Sequence, residues 1–467
     1  MKTRLVITFA FLASAAASFA GDYDFGGTQG SIGPNMSGTI SDNITGTAGL
    51  AISAAGNMSD GGGGSGTCLT LSGDNSGLSG GVSITSGYVQ FDLTLAIFDA
   101  ANTITLNGGG ILASASRTLA NDFAIGENGG YLRAYNSLSA WNNALRLDGK
   151  LTGTGLLTKT DGGHVTLAGD MSGFQGSLRL GGGTLVVTNS TLAVTELQVV
   201  SGTSLRIFSN QTVTVREGVT DGDLRKTDGG HLTVLGDSSH SSTSFESSSS
   251  YDAYLNVGNG GTTGTLGTGA ITMTGNRGFL VFNRSDGYNV QNAISGNATV
   301  EVKGGGTFTF SGANVYTRGT VVYAGTTLKV AHASALGAGA VELKSGATLV
   351  VDGIAVTGIT DLTALGAAIE FADGSSMLGV SGTLTLDGAT LYLAGLGLGT
   401  GSFDVGSVLF GNTSYDYQNN ITISGLAGYT WVDNHTIDVT AVPEPSTYAF
   451  AGLALIGGMM ILRRRRG

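Results

Sequence analysis

Between residues 21 and 441 apolar and polar side chains alternate in short runs, as in Ser83-Ile84-Thr85, Val213-Thr214-Val215, Thr272-Met273-Thr274 and Leu384-Thr385-Leu386. Neighbouring side chains of a strand point to opposite faces, so each run predicts a strand with one face in a core. Gly-Gly, Asp-Gly, Asn-Gly and Ser-Gly dipeptides separate the runs and mark tight turns. No useful helical window occurs in this stretch; 359–369 comes nearest and reads as irregular chain or strand.

The pattern also repeats. The run LTKTDGGHVTLAGD at 157–170 returns as LRKTDGGHLTVLGD at 224–237, and a third copy, VEVKGGGTFTFSGANVYTRGT, occupies 300–320 and continues through AGTTLKV at 324–330. His164 and His231 hold the same place in two copies and Thr307 holds it in the third, which predicts a common face and a structural role. These copies resemble the autotransporter-associated β-strand repeat, whose pattern is roughly L-x-K-x-G-x-G-x-L-x-L-x-G-x-N-x-Y-x-G-x-T. The resemblance implies an all-β fold, a right-handed parallel β-helix (β-solenoid), as in secreted passenger domains. Repeats near 157–187, 224–237 and 300–351 carry it. Each rung of about 20 residues would bury its inward side chains on its neighbours. The second copy loses the pattern after Asp237, and the serine-rich stretch 238–250 is expected to be a loop thrown out from the coil. The chain after residue 380 has no room for a membrane barrel of some 12 strands, so the expectation is a passenger-like coil without a pore of its own.

Composition narrows this picture. Glycine supplies 80 of 467 residues, charged residues only 12%, and there are three prolines. Glycine without a three-residue period, and with so little proline, excludes collagen. A hydrophobic content of 41% argues against simple disorder. Net charge is −11, but six of the basic residues sit at the two chain ends, leaving about −16 between residues 21 and 442. No basic cluster occurs there, so nucleic acid is excluded as a partner. The single cysteine, Cys68, cannot form an intramolecular bridge, and in Cys68-Leu69-Thr70-Leu71 it reads as a small inward-facing hydrophobe.

Both ends carry addresses. Residues 1–20 combine Lys2 and Arg4, an apolar run, and Ser18-Phe19-Ala20, the layout of a secretory signal peptide cleaved between Ala20 and Gly21. At the other end stand Val442-Pro443-Glu444-Pro445-Ser446, then 16 uncharged residues from Thr447 to Leu462, then Arg463, Arg464, Arg465 and Arg466. The uncharged run predicts a single transmembrane helix, and the arginines a basic stop that stays cytoplasmic. Motif, span and basic tail together resemble a PEP-CTERM sorting signal. That resemblance implies an exosortase-type membrane enzyme as partner, contact with membrane lipid through the helix, and processing near Pro443-Glu444-Pro445. The organisation expected is therefore a signal peptide at 1–20, a β-solenoid at 21–441 and a sorting signal at 442–467. The protein is expected to be tethered in transit to the inner membrane of a Gram-negative bacterium, then placed at the cell surface or in the matrix.

Catalytic and metal chemistry find little purchase in this sequence. The glycine strings lack the Gly-Lys-Ser/Thr ending of a phosphate loop, and no calcium nonapeptide G-G-x-G-x-D occurs. No cofactor or metal is expected. Asp148, Asp161, Asp170, Asp223, Asp228 and Asp237 are the carboxylates a glycoside hydrolase would need, but most fall in repeat turns, where Asp is favoured for geometry. The function expected is structural or adhesive, with exopolysaccharide or other surface proteins as partners. The alternative is a carbohydrate-active enzyme, a lyase or hydrolase, on the same scaffold.

Overall fold

Alternation resolves into coils of parallel strands. The structure, a computed structural model, describes residues 23–24, 29–55, 68–92, 98–135, 145–189 and 191–441. The signal peptide, the PEP motif, the apolar span and the arginine tail lie outside the described residues. Chain contacts divide the molecule into two units: Met1–Gly258 with Thr263–Gly269 and Thr274–Gly278, and Asn259–Thr262 with Ala270–Met273 and Phe279–Gly467.

In the first unit three faces of strands stack in register. One inward column runs Leu157, Leu178, Leu197, Val219. A second runs Val165, Leu185, Leu205, Lys226, Phe245. A third runs Leu192, Val213, Leu232, Leu255. All of these side chains are buried. Burial of one leucine or valine stabilises by about 1.5–3 kcal/mol, so stability accumulates coil by coil as in other stacked repeats.

The second unit repeats the plan. Phe308, Leu328, Leu349, Ile369, Leu391 and Ile423 form one inward column, with successive partners about 20 residues apart over most of its length. The strands Ala355–Ile359, Leu362–Ala364 and Ala368–Phe371 replace the weak helical window at 359–369. After the parallel strand Ala389–Tyr392 the pattern breaks. An antiparallel sheet of Gly401–Asp404, Gly428–Trp431 and Thr436–Ala441, a π-helical turn Gly406–Phe410 and a short helix Tyr417–Asn420 follow. Phe410 stacks on Tyr417 and meets the ring of Phe371 edge-on, so aromatics close this end of the core.

Buried polar side chains pin one coil to the next, and here the spacing of the repeat finds its cause. Asn314 accepts the Ile294 N–H at 2.8 Å and donates to the Ala335 carbonyl at 2.6 Å, joining the coil before its own to the coil after. The Tyr316 hydroxyl, fully buried, shares a 2.6 Å hydrogen bond with the Thr320 hydroxyl, which itself reaches the Leu336 carbonyl. Tyr-x-x-Gly-Thr at 316–320 is thus a buried polar pair with a glycine corner between its members. Buried polar groups that are satisfied in this way hold register at little cost.

Two expectations need correcting. Cys68 lies half-buried beside Thr70, 3.8 Å from its hydroxyl, while Leu69 and Leu71 point inward. Strand parity puts the thiol on the outer face. The serine-rich stretch is not a thrown-out loop either. Ser242–Glu246 is a strand of the coil paired with Asp223–Thr227, and Thr243 and Phe245 are buried. Its serines occupy the outward positions, where hydrophilic composition is compatible with a strand.

Candidate functional site

The candidate site is built around the two KTDGGH corners and the outer surface beside them. In the strand Leu157–Thr160, Lys159 shares the parity of Leu157, so it points inward and stacks between Leu132 and Leu180. Lys226 stands likewise between Leu205 and Phe245. Both lysines are 0% exposed. Their ammonium groups reach the chain two residues on, where Lys159 donates to the Asp161 carbonyl at 2.5 Å and Lys226 to the Asp228 carbonyl at 2.5 Å. Lys226 also lies 4.6 Å from the centroid of the Phe245 ring. Burial pulls both amines down to about 7, against the opposing pull of Asp161 or Asp228.

The two aspartates take left-handed backbone, with φ of 65° at Asp161 and 73° at Asp228. Each binds the N–H of the next glycine through Oδ1 and an arginine through Oδ2: Arg133 at 3.1 Å and Arg206 at 2.9 Å. The glycine after that has no room for a Cβ, which would stand 2.2 Å from the Tyr135 oxygen at Gly163 and 2.4 Å from Ile207 Cγ2 at Gly230.

The copies are not in phase with the coil. His164 lies on the face of Val165, Leu185 and Leu205, paired with Thr184. His231 lies on the face of Val213 and Leu232, between Thr212 and Tyr254, with its ring 4.6 Å from the tyrosine ring. The expectation of a common face therefore fails, because 67 residues overshoot three coils by several residues and move the second copy one face onward. Burial lowers the pKa of both imidazoles.

On the face of His164, the strands His164–Leu167, Thr184–Val187, Ser204–Ile207, Asp223–Thr227 and Ser242–Glu246 lie side by side. Their outward residues line two adjacent concavities. A cavity of about 360 Å³ is lined by Arg146, Thr166, Val186, Thr188, Asn189 and Phe208. A broader groove of about 690 Å³ is lined by His164, Thr184, Ser204, Arg225, Asp228 and Glu246, among others. Arg206 also lines the groove, and its guanidinium lies over the Phe208 ring at 4.9 Å. Charge is balanced in the groove: Arg206 pairs with Asp228, and Arg225 with Glu246 at 3.4 Å. Two buried polar atoms on the strand His164–Leu167 have no hydrogen-bond partner, Nδ1 of His164 and Oγ1 of Thr166. Thr166 is only 2% exposed.

The other carboxylates of the hydrolase alternative are engaged elsewhere. Asp148 pairs with Arg146 at 2.6 Å. Asp170 accepts the Ser172 N–H, Asp223 the Ser242 hydroxyl, and Asp237 the Gly264 N–H. Hydrogen bonds from Ser172 hold the Asp170 carboxyl below its usual range, and bonds from Ser242 and Ser201 do the same for Asp223. Among the described residues no group of three His, Cys, Asp or Glu side chains is placed to hold a metal ion, and no helix is long and apolar enough to cross a membrane. The sequence reading missed Thr166 and Arg206, whose types are ordinary for an outward strand position, and Phe208, just past the end of its strand. Only the stacking of strands distant in sequence brings them together.

Residues 441–466 match the PEP-CTERM protein-sorting motif. Over 123 residues the chain is 31% identical to the adhesin BmaC autotransporter of Brucella suis biovar 1 (strain 1330), a match that covers 26% of this chain and 3% of that protein. The chain therefore aligns with a small part of that relative's length. No solved structure matches it. The motif marks an exported protein of a Gram-negative bacterium, sorted to the cell surface and handled by a membrane exosortase.

Proposed function

We propose that this protein is a structural or adhesive element of the cell surface or extracellular matrix, delivered by a signal peptide at 1–20 and released from its membrane hold by an exosortase acting at Pro443-Glu444-Pro445. The observation that carries this reading is a sorting motif on a chain of parallel coils that is similar over 123 residues to an adhesin. A coil of this kind buries one side of each strand and offers the other to the outside, which suits display and attachment. Biofilm or exopolysaccharide is the setting we assign to it, with matrix polysaccharide or other surface proteins as partners.

Glu444 is the single charge between Asp438 and Arg463, held between two prolines that keep the backbone extended. Glu444→Gln preserves size and geometry and removes that charge. The variant is expected to remain uncleaved in the inner-membrane fraction, and its cells to lose attachment to the level of a deletion strain. Wild-type location, mature mass and attachment in the variant would sink the reading.

The rival is a glycosidase using the groove that holds Asp228 and Glu246. Glycoside hydrolysis needs one carboxyl kept as an acid in an apolar setting. Both carboxylates instead lie against arginines, which favours the non-catalytic reading.

A further inference from the structure

We infer that the paired concavities on the face of His164 form a binding site for an uncharged, hydroxyl-rich oligosaccharide. Two strands of this face each send one side chain to the groove and the side chain two residues on to the cavity, His164 and Thr166, then Thr184 and Val186; on the next strand Ser204 and Arg206 both line the groove, and Phe208 just past it lines the cavity. A ligand lying across the strands meets both hollows at once.

The strongest pointer is Thr166. The residue is among those that line the cavity, and its buried hydroxyl has no partner. A buried polar atom left unsatisfied is destabilising by about 1–3 kcal/mol, and such atoms in native proteins call for an explanation. A ligand hydroxyl would satisfy it. His164, on the same strand, lines the neighbouring groove, and its buried Nδ1 is unpaired in the same way. Burial together with Lys159 and Arg206 depresses the protonation of this imidazole, so its open nitrogen can accept or donate according to tautomer. Two unmet groups able to act either way match a ligand made of hydroxyls, which also donate and accept.

The surroundings select against other ligands. An anion would find each lining arginine of the groove already paired, with Asp228 or Glu246. An extended peptide adding to the sheet needs a free strand edge, whereas Thr184–Val187 and Ser204–Ile207 have parallel partners on both sides. What remains around the unmet atoms is Thr184, Thr188, Ser204 and Asn189, with the half-buried Phe208 ring as the apolar surface. Sparse polar groups over an apolar floor fit a pyranose, which presents hydroxyls at its rim and C–H groups on its face.

This inference rests on the adhesive reading for its setting, but its test is made on purified protein. The full chain in detergent micelles is titrated calorimetrically with cellohexaose, maltohexaose and chitohexaose, and with hexagalacturonate as the acidic comparison. At least one neutral hexasaccharide is expected to bind. Thr166→Val, which deletes one hydroxyl at constant shape, should weaken that binding about fivefold or more while leaving the thermal midpoint unchanged or raised. Asn189→Ala, at an exposed position, should weaken it without touching the core. Failure of all three neutral sugars, preference for hexagalacturonate, or wild-type affinity in both variants would overturn the site. If a sugar binds as described while Glu444→Gln leaves location and attachment unchanged, the site stands and the sorting reading falls.

Discussion

The corner after Lys159 and the corner after Val302 are built from related sequence and held by different means. In both, the N–H of the fourth residue past the strand's last inward position returns to the coil before: Gly163 donates to the Ala134 carbonyl and Gly306 to that of Arg284. In both, an arginine stands on that earlier coil beside the end of the strand. Arg133 faces Thr160, and the Arg284 N–H binds the Lys303 carbonyl. The first corner places Asp161 at its left-handed residue, and its carboxylate takes the arginine while its carbonyl takes the buried lysine. The second places Gly304 there with φ of 103°, and Val302 fills the inward position. Arg284, without a corner carboxylate, turns to Asp286 at 2.8 Å. A left-handed backbone is thus reached either by glycine at no steric cost or by aspartate, whose penalty of about 1–2 kcal/mol is offset by two cationic partners.

The largest expected effect follows from what the corners share. A Cβ on Gly230 would stand 2.4 Å from the Phe208 oxygen, and one on Gly306 would stand 2.3 Å from the Asp286 oxygen. Gly304 adds a φ that L side chains avoid and a Cβ position 2.5 Å from the Arg284 oxygen. Gly230→Ala, Gly304→Ala and Gly306→Ala should each destabilise by about 3 kcal/mol or more, read as a lowered urea midpoint. A loss below about 1 kcal/mol in all three would mean that the coils can part, and the equivalence of the corners would break.

Much of this was legible in the chain. Alternation identified the strands, the glycine dipeptides their corners, and the repeat copy a tyrosine four residues before a threonine, a spacing now explained by the Tyr316–Thr320 hydrogen bond. The buried lysines were equally available, since Leu157 and Lys159 share parity and one cannot face inward without the other. A charged residue type hid that inference. The antiparallel cap near the end of the second unit was hidden for another reason: Gly401–Asp404 and Thr436–Ala441 pair across a distance no local pattern encodes. The serine-rich strand was misread because outward positions carry no hydrophobic signal, and Thr243 and Phe245 were too few to reveal a period. The cavity around Thr166 lies furthest from the sequence, because it is assembled from four strands and their turns.

The lysine corner has a pH signature that the glycine corner lacks. Lys159 and Lys226 are drawn from an ordinary 10.5 to about 7 in the folded protein, chiefly by burial. Between those values the unfolded chain binds more protons than the folded one, so stability rises with pH across the window. Below about pH 7 both states hold the protons and the full penalty of the buried charge applies. The urea midpoint of the wild type should therefore increase from pH 7 to pH 10. Lys226→Met, which fills the same column with an apolar chain, should remove roughly half of that slope and raise stability at pH 6 relative to wild type. An unaltered slope in the variant would show that these amines are not the titrating groups.

The smallest expected effect separates geometry from charge at the aspartate itself. Asparagine tolerates left-handed backbone at least as well as aspartate, and Asp228→Asn keeps an oxygen for the Gly229 N–H that Oδ1 now accepts at 2.7 Å. What it removes is the charge facing Arg206, whose side chain is 32% exposed and also rests on the Phe208 ring. A pair so accessible to water contributes about 1 kcal/mol or less. The main-chain oxygen that receives Lys226 is untouched. Asp228→Asn should accordingly lower stability by no more than about 1 kcal/mol, while Asp228→Ala should lower it further by losing the acceptor as well as the turn preference. In the groove, the asparagine variant frees the Arg206 guanidinium, so binding of hexagalacturonate should improve relative to neutral sugars in the same titration. If Asp228→Asn instead abolishes a hydrolytic activity towards a polysaccharide while the fold persists, the carboxylate is chemical and not architectural, and the contrast between the two corners is one of function.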